Sequence, residues 1–149
     1  MRPNTEKFKK EDIIEREKFK KDYKIIAKSL SRRLSFSTVL DIGCAQGLLM
    51  EPLHECGYKV RGIEVSEDAA SLLSEKMSSR VSICDFKDAT GSFDLVCCVE
   101  VTEHIEPARS EELVSKLCTL SERYVYFTAA QPGQGGAWTY KRASTQSLD

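Results

Sequence analysis

Short apolar runs along the chain alternate with segments in which apolar residues recur at helical spacing. The runs predict strands at 38–42, 58–65, 80–84, 93–99 and 124–129. The helical stripes are Phe19-Tyr23-Ile26-Leu30, Leu49-Leu53-Cys56, Ala70-Leu73-Met77 and Leu113-Leu117-Leu120, with Ser66 the expected N-cap of the third helix. Strands that alternate with helices predict an α/β fold, a doubly wound and mostly parallel sheet covered on both faces.

A glycine-containing turn follows the first predicted strand directly. Its residues are Asp41, Gly43, Cys44, Ala45 and Gly47. Glycines let the backbone approach a ligand closely, and ligands of such sheets bind beyond the carboxyl ends of the strands. A dinucleotide-binding loop would require Gly-x-Gly-x-x-Gly, but alanine replaces the second glycine here and the acid would repel a pyrophosphate. An ordinary strand-turn-helix connection is the other alternative.

Acidic residues also end the following strands. Glu64, followed by Val65, ends the second strand and can accept both ribose hydroxyls of an adenosine. Asp85 and Phe86 follow the third strand, and Glu100 follows the fourth. Because the ends of parallel strands share one edge of a sheet, we expect these residues near the glycine turn.

Two segments resemble motifs of the class I S-adenosylmethionine-dependent methyltransferases. The turn resembles their acid-x-Gly-x-Gly/Ala-x-Gly motif, and 93–105 resembles their Phe-Asp-x-Val-x-x-x-Glu-Val-x-Glu-His motif. The resemblance implies a Rossmann-like sheet, of which we count five strands against seven in the family. It implies S-adenosylmethionine as cofactor and in-line methyl transfer, for which no dedicated base is required and none is assigned. The cofactor-binding residues that follow are Asp41, Gly43, Cys44, Ala45, Gly47, Glu64, Val65, Asp85, Phe86 and Glu100.

The resemblance also suggests individual roles for some of these residues. Glu64 would bind the ribose, Asp85 the adenine amino group, and the backbone N–H of Phe86 the adenine ring. Asp88 is a nearby alternative to Asp85. Glu100, Glu103 and His104 could hold a divalent ion, as a similar Glu-x-x-Glu-His does in some RNA 3′-end and quinone-precursor O-methyltransferases. Many relatives carry Glu-His without a metal requirement. We predict no metal here and expect His104 to be a structural or general-base residue instead.

Charge and length add expectations about partners. Residues 1–33 hold 12 Lys or Arg against 6 Asp or Glu, so a basic N-terminal helix or cap (1–37) could contact RNA. No apolar run approaches the roughly 20 residues of a membrane span, and we see no secretory signal, so a cytoplasmic protein is the default. The methyl acceptor is not specified by the sequence.

The end of the chain departs from the family pattern. The S-adenosylmethionine-binding domain is expected at 38–130, followed by a polar and flexible tail at 131–149. That tail is too short for the family's last helix and two strands, so we expect cofactor binding, weak catalysis and self-association through the edge of the fifth strand. A catalytically weak binding module and an NAD-dependent oxidoreductase remain the alternative functions.

Overall fold

The computed structural model describes residues 10–130, apart from the side chain of Asp12, and the expected tail at 131–149 lies outside that range. The strands are β1 (Thr38–Ile42), β2 (Lys59–Glu64), β3 (Val81–Ile83), β4 (Phe93–Val99) and β5 (Ser121–Thr128). The α-helices are α1 (Lys10–Ile14), α2 (Lys20–Arg33), α3 (Met50–Glu55), α4 (Glu67–Ala70), α5 (Glu75–Ser78) and α6 (Ser110–Leu120). Short 3-10 turns span Glu15–Phe19, Phe86–Asp88, Thr102–His104 and Pro107–Arg109.

The five strands form one parallel sheet in the order β3-β2-β1-β4-β5. This architecture confirms the doubly wound α/β fold predicted from the sequence. The central strands are apolar on both sides because helices cover both faces of the sheet. Within residues 10–130 no helix is both long and apolar enough to cross a bilayer.

Successive residues of the central strands point into two separate cores. One core joins the sheet to α2, α3 and α5: Ala27, Leu30, Val39, Leu49, Met50, Leu53, Val60, Met77, Leu95 and Cys97 belong to it. The other joins the opposite face to α6: Leu40, Ile42, Ile63, Val96, Cys98, Leu113, Leu117 and Leu120 belong to it. The two cores fix the sheet rigidly, so the loops at its carboxyl edge have a firm base.

The strand order reverses direction at β1, which has β2 on one side and β4 on the other. The connections after β1 and β4 leave the sheet to opposite faces, α3 on one and α6 on the other. A crevice therefore opens at the carboxyl ends of these two strands, where ligands of this architecture bind. The glycine turn lies at this point.

The prediction of a single helix after Ser66 is wrong, because the structure has two short helices there, α4 and α5. Ser66 caps α4 as expected, since its hydroxyl accepts a hydrogen bond from Ala69 N at 3.2 Å. The helix then ends because the Ser71 hydroxyl donates to Asp68 O at 2.7 Å and the backbone tightens into i→i+3 hydrogen bonds. Ser74 begins α5, which returns Met77 to the core.

Candidate cofactor-binding site

The turn after β1 runs through three residues with left-handed backbone conformation. Gly43, Ala45 and Gly47 have φ of 74°, 47° and 79°. The amides of Gly43 and Cys44 both donate to Ile63 O, at 2.8 and 3.1 Å, which ties the start of the turn to β2. Alanine adopts this conformation at an energetic cost, and such strain concentrates at functional sites. The turn therefore forms a backbone cradle at the crevice.

The two glycines of this turn also allow close packing of neighbouring side chains. A Cβ on Gly43 would lie 2.5 Å from Val101 Cγ2, and one on Gly47 would lie 3.1 Å from Leu73 Cδ2. The sequence suggested that glycine is needed there for a ligand to approach. The structure gives a second reason, which is contact with the chain after β4 and with the segment between α4 and α5.

Glu64 lies across the turn at the end of β2 and is buried. One carboxylate oxygen, Oε2, accepts a hydrogen bond from Ala45 N at 2.8 Å. The other, Oε1, accepts from Val65 N and Ser66 N, both at 2.9 Å. A carboxylate has about four acceptor positions, so three backbone donors leave room for one further donor on Oε2. The side chain of Val65 is exposed beside it.

Asp41 is a buried carboxyl at the end of β1 and faces an N-terminal arginine. Burial raises the pKa of Asp41 from its ordinary value of 3.8 to about 7; Arg16 lowers it and Glu64 raises it further. Arg16 is itself buried, and its Nη2 donates to the Tyr23 hydroxyl at 2.8 Å. The guanidinium and the carboxyl therefore lie in one shielded environment, where their interaction is stronger than in water.

The N-terminal helix α1 covers the glycine turn. Ile13 is 1% exposed and packs with Ala45 and Ala69. Gln46 Nε2 donates to Ile13 O at 2.6 Å, so a hydrogen bond also joins the turn to α1. The 3-10 turn that follows α1 then brings Arg16 to the mouth of the crevice.

A small pocket lies between the glycine turn and the N-terminal segment that carries Arg16 and Tyr23. It is lined by Arg16, Tyr23, Asp41, Gly43, Cys44, Ala45, Gln46, Leu48, Leu49 and Val99. Four of the sequence-predicted site residues line it directly: Asp41, Gly43, Cys44 and Ala45. Glu64 adjoins it through its hydrogen bond to Ala45, whereas Gly47 is buried beneath Leu73 and Met77.

The end of β3 lies beside Glu64, because Cys84 N donates to Glu64 O at 3.0 Å. The next residue, Asp85, forms a bidentate ion pair with Arg109, whose Nη1 and Nη2 donate to Oδ2 and Oδ1 at 2.9 and 2.7 Å. Phe86 is buried, and the Arg109 guanidinium lies 4.4 Å from its ring centroid. The predicted adenine-binding residue is thus held by an arginine from the turn before α6.

The end of β4 also has an unusual backbone conformation. Glu100 has φ of 55°, and its amide donates to Thr128 O at 3.0 Å. Burial raises the pKa of both Tyr23 and Tyr126, and the nearby Glu100 charge adds a smaller increase to each. Glu103 is buried and His104 is exposed. Among the described residues no three His, Cys, Asp or Glu side chains come together as a metal site.

Several residues of the site have no signal in the sequence that would find them. Arg16 and Tyr23 precede Asp41, the first residue of the motif, by 25 and 18 positions. They reach it only because the N-terminal helices fold back over the sheet. Arg109 lies 24 residues after Asp85. Gln46 stands within the first motif at a position that the motif leaves unspecified, although the pattern marks its neighbours.

Comparisons with known proteins agree with this geometry. The family profile described as "Methyltransferase domain" matches residues 14–142. The chain is 30% identical over 108 residues to the chloroplastic magnesium protoporphyrin IX methyltransferase of Arabidopsis thaliana, covering 66% of this chain and 34% of that protein. It is 40% identical over 86 residues to a ubiquinone biosynthesis O-methyltransferase of Bradyrhizobium, covering 53% and 34%. The chain spans about a third of the length of these curated relatives.

Solved structures show the same fold. A SAM-dependent methyltransferase from Archaeoglobus fulgidus superposes with a TM-score of 0.61 at 26% identity, covering 80% of this chain and 58% of that one. The magnesium protoporphyrin IX methyltransferase of Synechocystis with bound SAM superposes with a TM-score of 0.60 at 23% identity, covering 69% and 54%. The chain therefore belongs to the methyltransferase-domain family and has the Rossmann-like fold of class I S-adenosylmethionine-dependent methyltransferases.

Proposed function

We propose that the chain binds S-adenosylmethionine in the crevice after β1 and transfers its methyl group to an oxygen nucleophile. The observation that carries this proposal is the left-handed turn at 43–47 with the buried Glu64 carboxylate hydrogen-bonded across it. The family match supports methyl transfer over the NAD-dependent alternative. The backbone cradle and the Glu64 carboxylate at the end of β2 could together bind an adenosine that carries a charged substituent.

The donors and acceptors around the crevice fit the two ends of this cofactor. At one end, Arg16 can donate to a carboxylate, while Asp41 and the buried Gln46 Oε1 can accept from an ammonium group. Gln46 Oε1 has no hydrogen-bond partner within residues 10–130, so an acceptor is left over in the pocket wall. At the other end, Glu64 can accept from a ribose hydroxyl and Asp85 from the adenine amino group.

When bound, S-adenosylmethionine supplies a methyl group that is already electrophilic because its sulfur is positively charged. The task left to the protein is orientation and exclusion of water. Leu48, Leu49 and Val99 form apolar walls of the pocket. Ile13 packs against Ala45, which also lines the pocket. These contacts would hold the cofactor in one conformation, and no side chain of the site is assigned as a general base.

The acceptor is proposed from the relatives and from surface charge. Two matched relatives are methyltransferases of ubiquinone biosynthesis and of magnesium protoporphyrin IX, and the former is named as an O-methyltransferase. A phenolic or carboxylic oxygen on a flat ring is therefore our first choice. RNA is the second, because the outer side of α2 exposes a set of cations for which no ion pair is found within residues 10–130: Lys20, Lys21, Lys24, Lys28, Arg32 and Arg33.

The test is transfer of a labelled methyl group from S-adenosylmethionine to a catechol, a porphyrin bearing propionates, and a mixed RNA. We expect label on the catechol or the porphyrin. We expect Glu64→Gln to reduce transfer at subsaturating cofactor by roughly tenfold or more, since it replaces a charged acceptor of a hydrogen bond. Glu67→Gln, which alters an exposed acid three residues away, is the matched control and should leave transfer unchanged.

A chain that binds the cofactor but labels none of the three acceptors would favour the alternative of a binding module without activity. Equal loss in Glu64→Gln and Glu67→Gln would contradict the role given to Glu64. Circular dichroism of both variants would establish that each is folded before the rates are compared.

A further inference from the structure

The ion pair between Asp85 and Arg109 joins the end of β3 to the turn before α6. Both guanidinium Nη atoms donate to the carboxylate, at 2.7 and 2.9 Å, in the parallel arrangement that gives the most directional ion pairs. The Asp85 side chain is 13% exposed and that of Arg109 is 29% exposed, so water screens the pair only in part. The pair thus holds the Asp85 carboxylate in one plane.

Arg109 is itself held on three sides. Besides Asp85, its Nε donates to Glu112 Oε2 at 3.0 Å, and its guanidinium lies over the ring of Phe86 at 4.4 Å. The hydrogen bond from Arg109 is the main reason that the pKa of Asp85 lies below its ordinary value. Asp85 is therefore kept ionised, and in that form it can only accept hydrogen bonds.

The pattern of hydrogen bonds leaves one defined acceptor position on Asp85. Oδ1 accepts from Arg109 and from Lys87 N at 3.0 Å, whereas Oδ2 accepts only from Arg109 among the described residues. Since a carboxylate oxygen has about two acceptor positions, the free one is on Oδ2. A donor such as an exocyclic amino group fits this position, and a carbonyl oxygen would be repelled from it.

We propose that Arg109 is a positioning residue that makes Asp85 select a 6-amino purine over a 6-oxo purine. The inference rests on the proposed cofactor site and goes further, because it assigns base selectivity to a residue that acts through Asp85. Removal of Arg109 frees the carboxylate to rotate and to become solvated, so the preference for the amino group falls. A role confined to stability would lower the affinity for both purines alike.

The experiment measures dissociation constants of the full chain for S-adenosylhomocysteine and for its deaminated counterpart, which carries a 6-oxo purine. The wild type should prefer the adenine ligand by roughly tenfold or more, the effect of one hydrogen bond to a charged group. In Arg109→Ala the preference should fall to within about threefold. Arg109→Lys keeps the charge but cannot form the bidentate pair, and should give an intermediate ratio.

Glu111→Ala is the matched control, because it removes an exposed acid of the same helix that forms no hydrogen bond or ion pair with Arg109 or Asp85. It should retain the wild-type preference. An unchanged or larger preference in Arg109→Ala would overturn the inference, and so would a wild type that binds both ligands equally while still binding the cofactor. If Arg109→Ala does not fold, an unchanged preference in Arg109→Lys overturns it. A folded wild type that binds neither ligand would refute the proposed cofactor site itself.

Discussion

Gly43 shows how one residue joins the ends of β1 and β4. Its φ of 74° strains any other residue, and the space where a Cβ would stand is filled by Val101. We predict that Gly43→Ala lowers the free energy of unfolding by about 2–5 kcal/mol, from about 1–2 for the left-handed backbone and about 1–3 for overpacking. Urea denaturation followed by circular dichroism measures this.

Gly57 is the matched control for this change. It also has positive φ, 95°, but a Cβ there would meet nothing within 4 Å, so Gly57→Ala should cost only the backbone part, about 1–2 kcal/mol. Val101→Ala added to Gly43→Ala should recover the steric part. Equal losses at the two glycines would show that contact with Val101 contributes nothing.

The raised pKa of Asp41 should make the stability of the folded chain depend on pH. Its pKa in the folded chain is about 7, against 3.8 ordinarily, so the native state holds a proton that the unfolded chain releases. The stabilising contribution of this proton is fully present below about pH 4 and is lost as the pH rises through about 7. We predict that the free energy of unfolding declines across that window, and that Asp41→Asn removes this part of the decline.

Denaturation at pH 5 and at pH 8 measures the effect. The wild type should lose stability relative to Asp41→Asn on going to pH 8, since the variant has no carboxyl to ionise beside Glu64. Parallel curves for the two proteins would show that Asp41 is already ionised at pH 5.

The residue types at the strand ends could be predicted from the sequence, whereas the distant residues that contact them could not. Gly43 and Glu64 are marked by their types and by where the strands end. Arg16 reaches Asp41 across a separation of 25 residues, and its position depends on how α1 packs on the turn. The contact of Arg109 with Asp85 likewise depends on the path of the chain between β4 and α6, which no local pattern encodes.

At the scale of elements, the packing of α1 on the glycine turn should affect ligand affinity. Ile13 is 1% exposed against the turn, whereas the adjacent Ile14 is 51% exposed. We predict that Ile13→Ala detaches α1 from the glycine turn, because a buried Ile→Ala substitution typically costs about 2–5 kcal/mol of stability. Arg16 would then leave the pocket, and affinity for S-adenosylhomocysteine should fall roughly tenfold, as for loss of one charged hydrogen bond.

Hydrogen exchange of residues 10–19, together with calorimetric titration, measures both consequences. Ile14→Ala should change neither protection nor affinity, because its side chain is largely in water. Faster exchange without a change in affinity would show that the packing of α1 does not affect cofactor binding. It would contradict the role of Arg16 in binding the ligand.

The elements themselves were predicted with uneven success, for physical reasons. The bounds of β4 agree with the sequence prediction because its apolar run is nearly continuous, and α6 buries the predicted stripe of Leu113, Leu117 and Leu120. The helix after Ser66 was predicted as one because Ala70, Leu73 and Met77 fall at helical spacing. Ser71, which lies between these residues, donates a side-chain hydrogen bond to Asp68 O, and Ser74 then precedes a second helix. Periodicity reveals neither feature.

At the scale of the whole molecule, β5 lies at one end of the described sheet and pairs there with β4 alone. Val125 and Phe127 are 40% and 43% exposed along it. We predict that the chain self-associates through this strand, because an exposed apolar edge offers unpaired backbone groups to another copy. Sedimentation velocity at several concentrations should show a rising average mass, which Val125→Lys with Phe127→Lys reduces.

Ile25→Lys is the control for that pair of changes, since Ile25 is exposed on α2, away from β5. It should leave the concentration dependence unaltered. A wild type that sediments as a monomer throughout would contradict the prediction, and so would an equal effect of the control.

The parallel sheet with helices on both faces was predictable from the whole sequence, because alternating strands and helices allow few other arrangements. The closure of the site by α1 was not predictable, since a helix of five residues with a single buried isoleucine carries no distinct pattern. Fold class thus follows from periodicity over the whole chain, whereas the shape of the pocket depends on a few contacts between distant segments.

The crevice after β1 is proposed to bind S-adenosylmethionine through the glycine turn and Glu64. Calorimetric titration of the folded chain with S-adenosylhomocysteine tests this binding, with NAD⁺ titrated under the same conditions for comparison. We expect saturable binding of one S-adenosylhomocysteine per chain and no saturable heat with NAD⁺. A folded chain that gives no heat with S-adenosylhomocysteine, or that binds NAD⁺ more tightly, would contradict it.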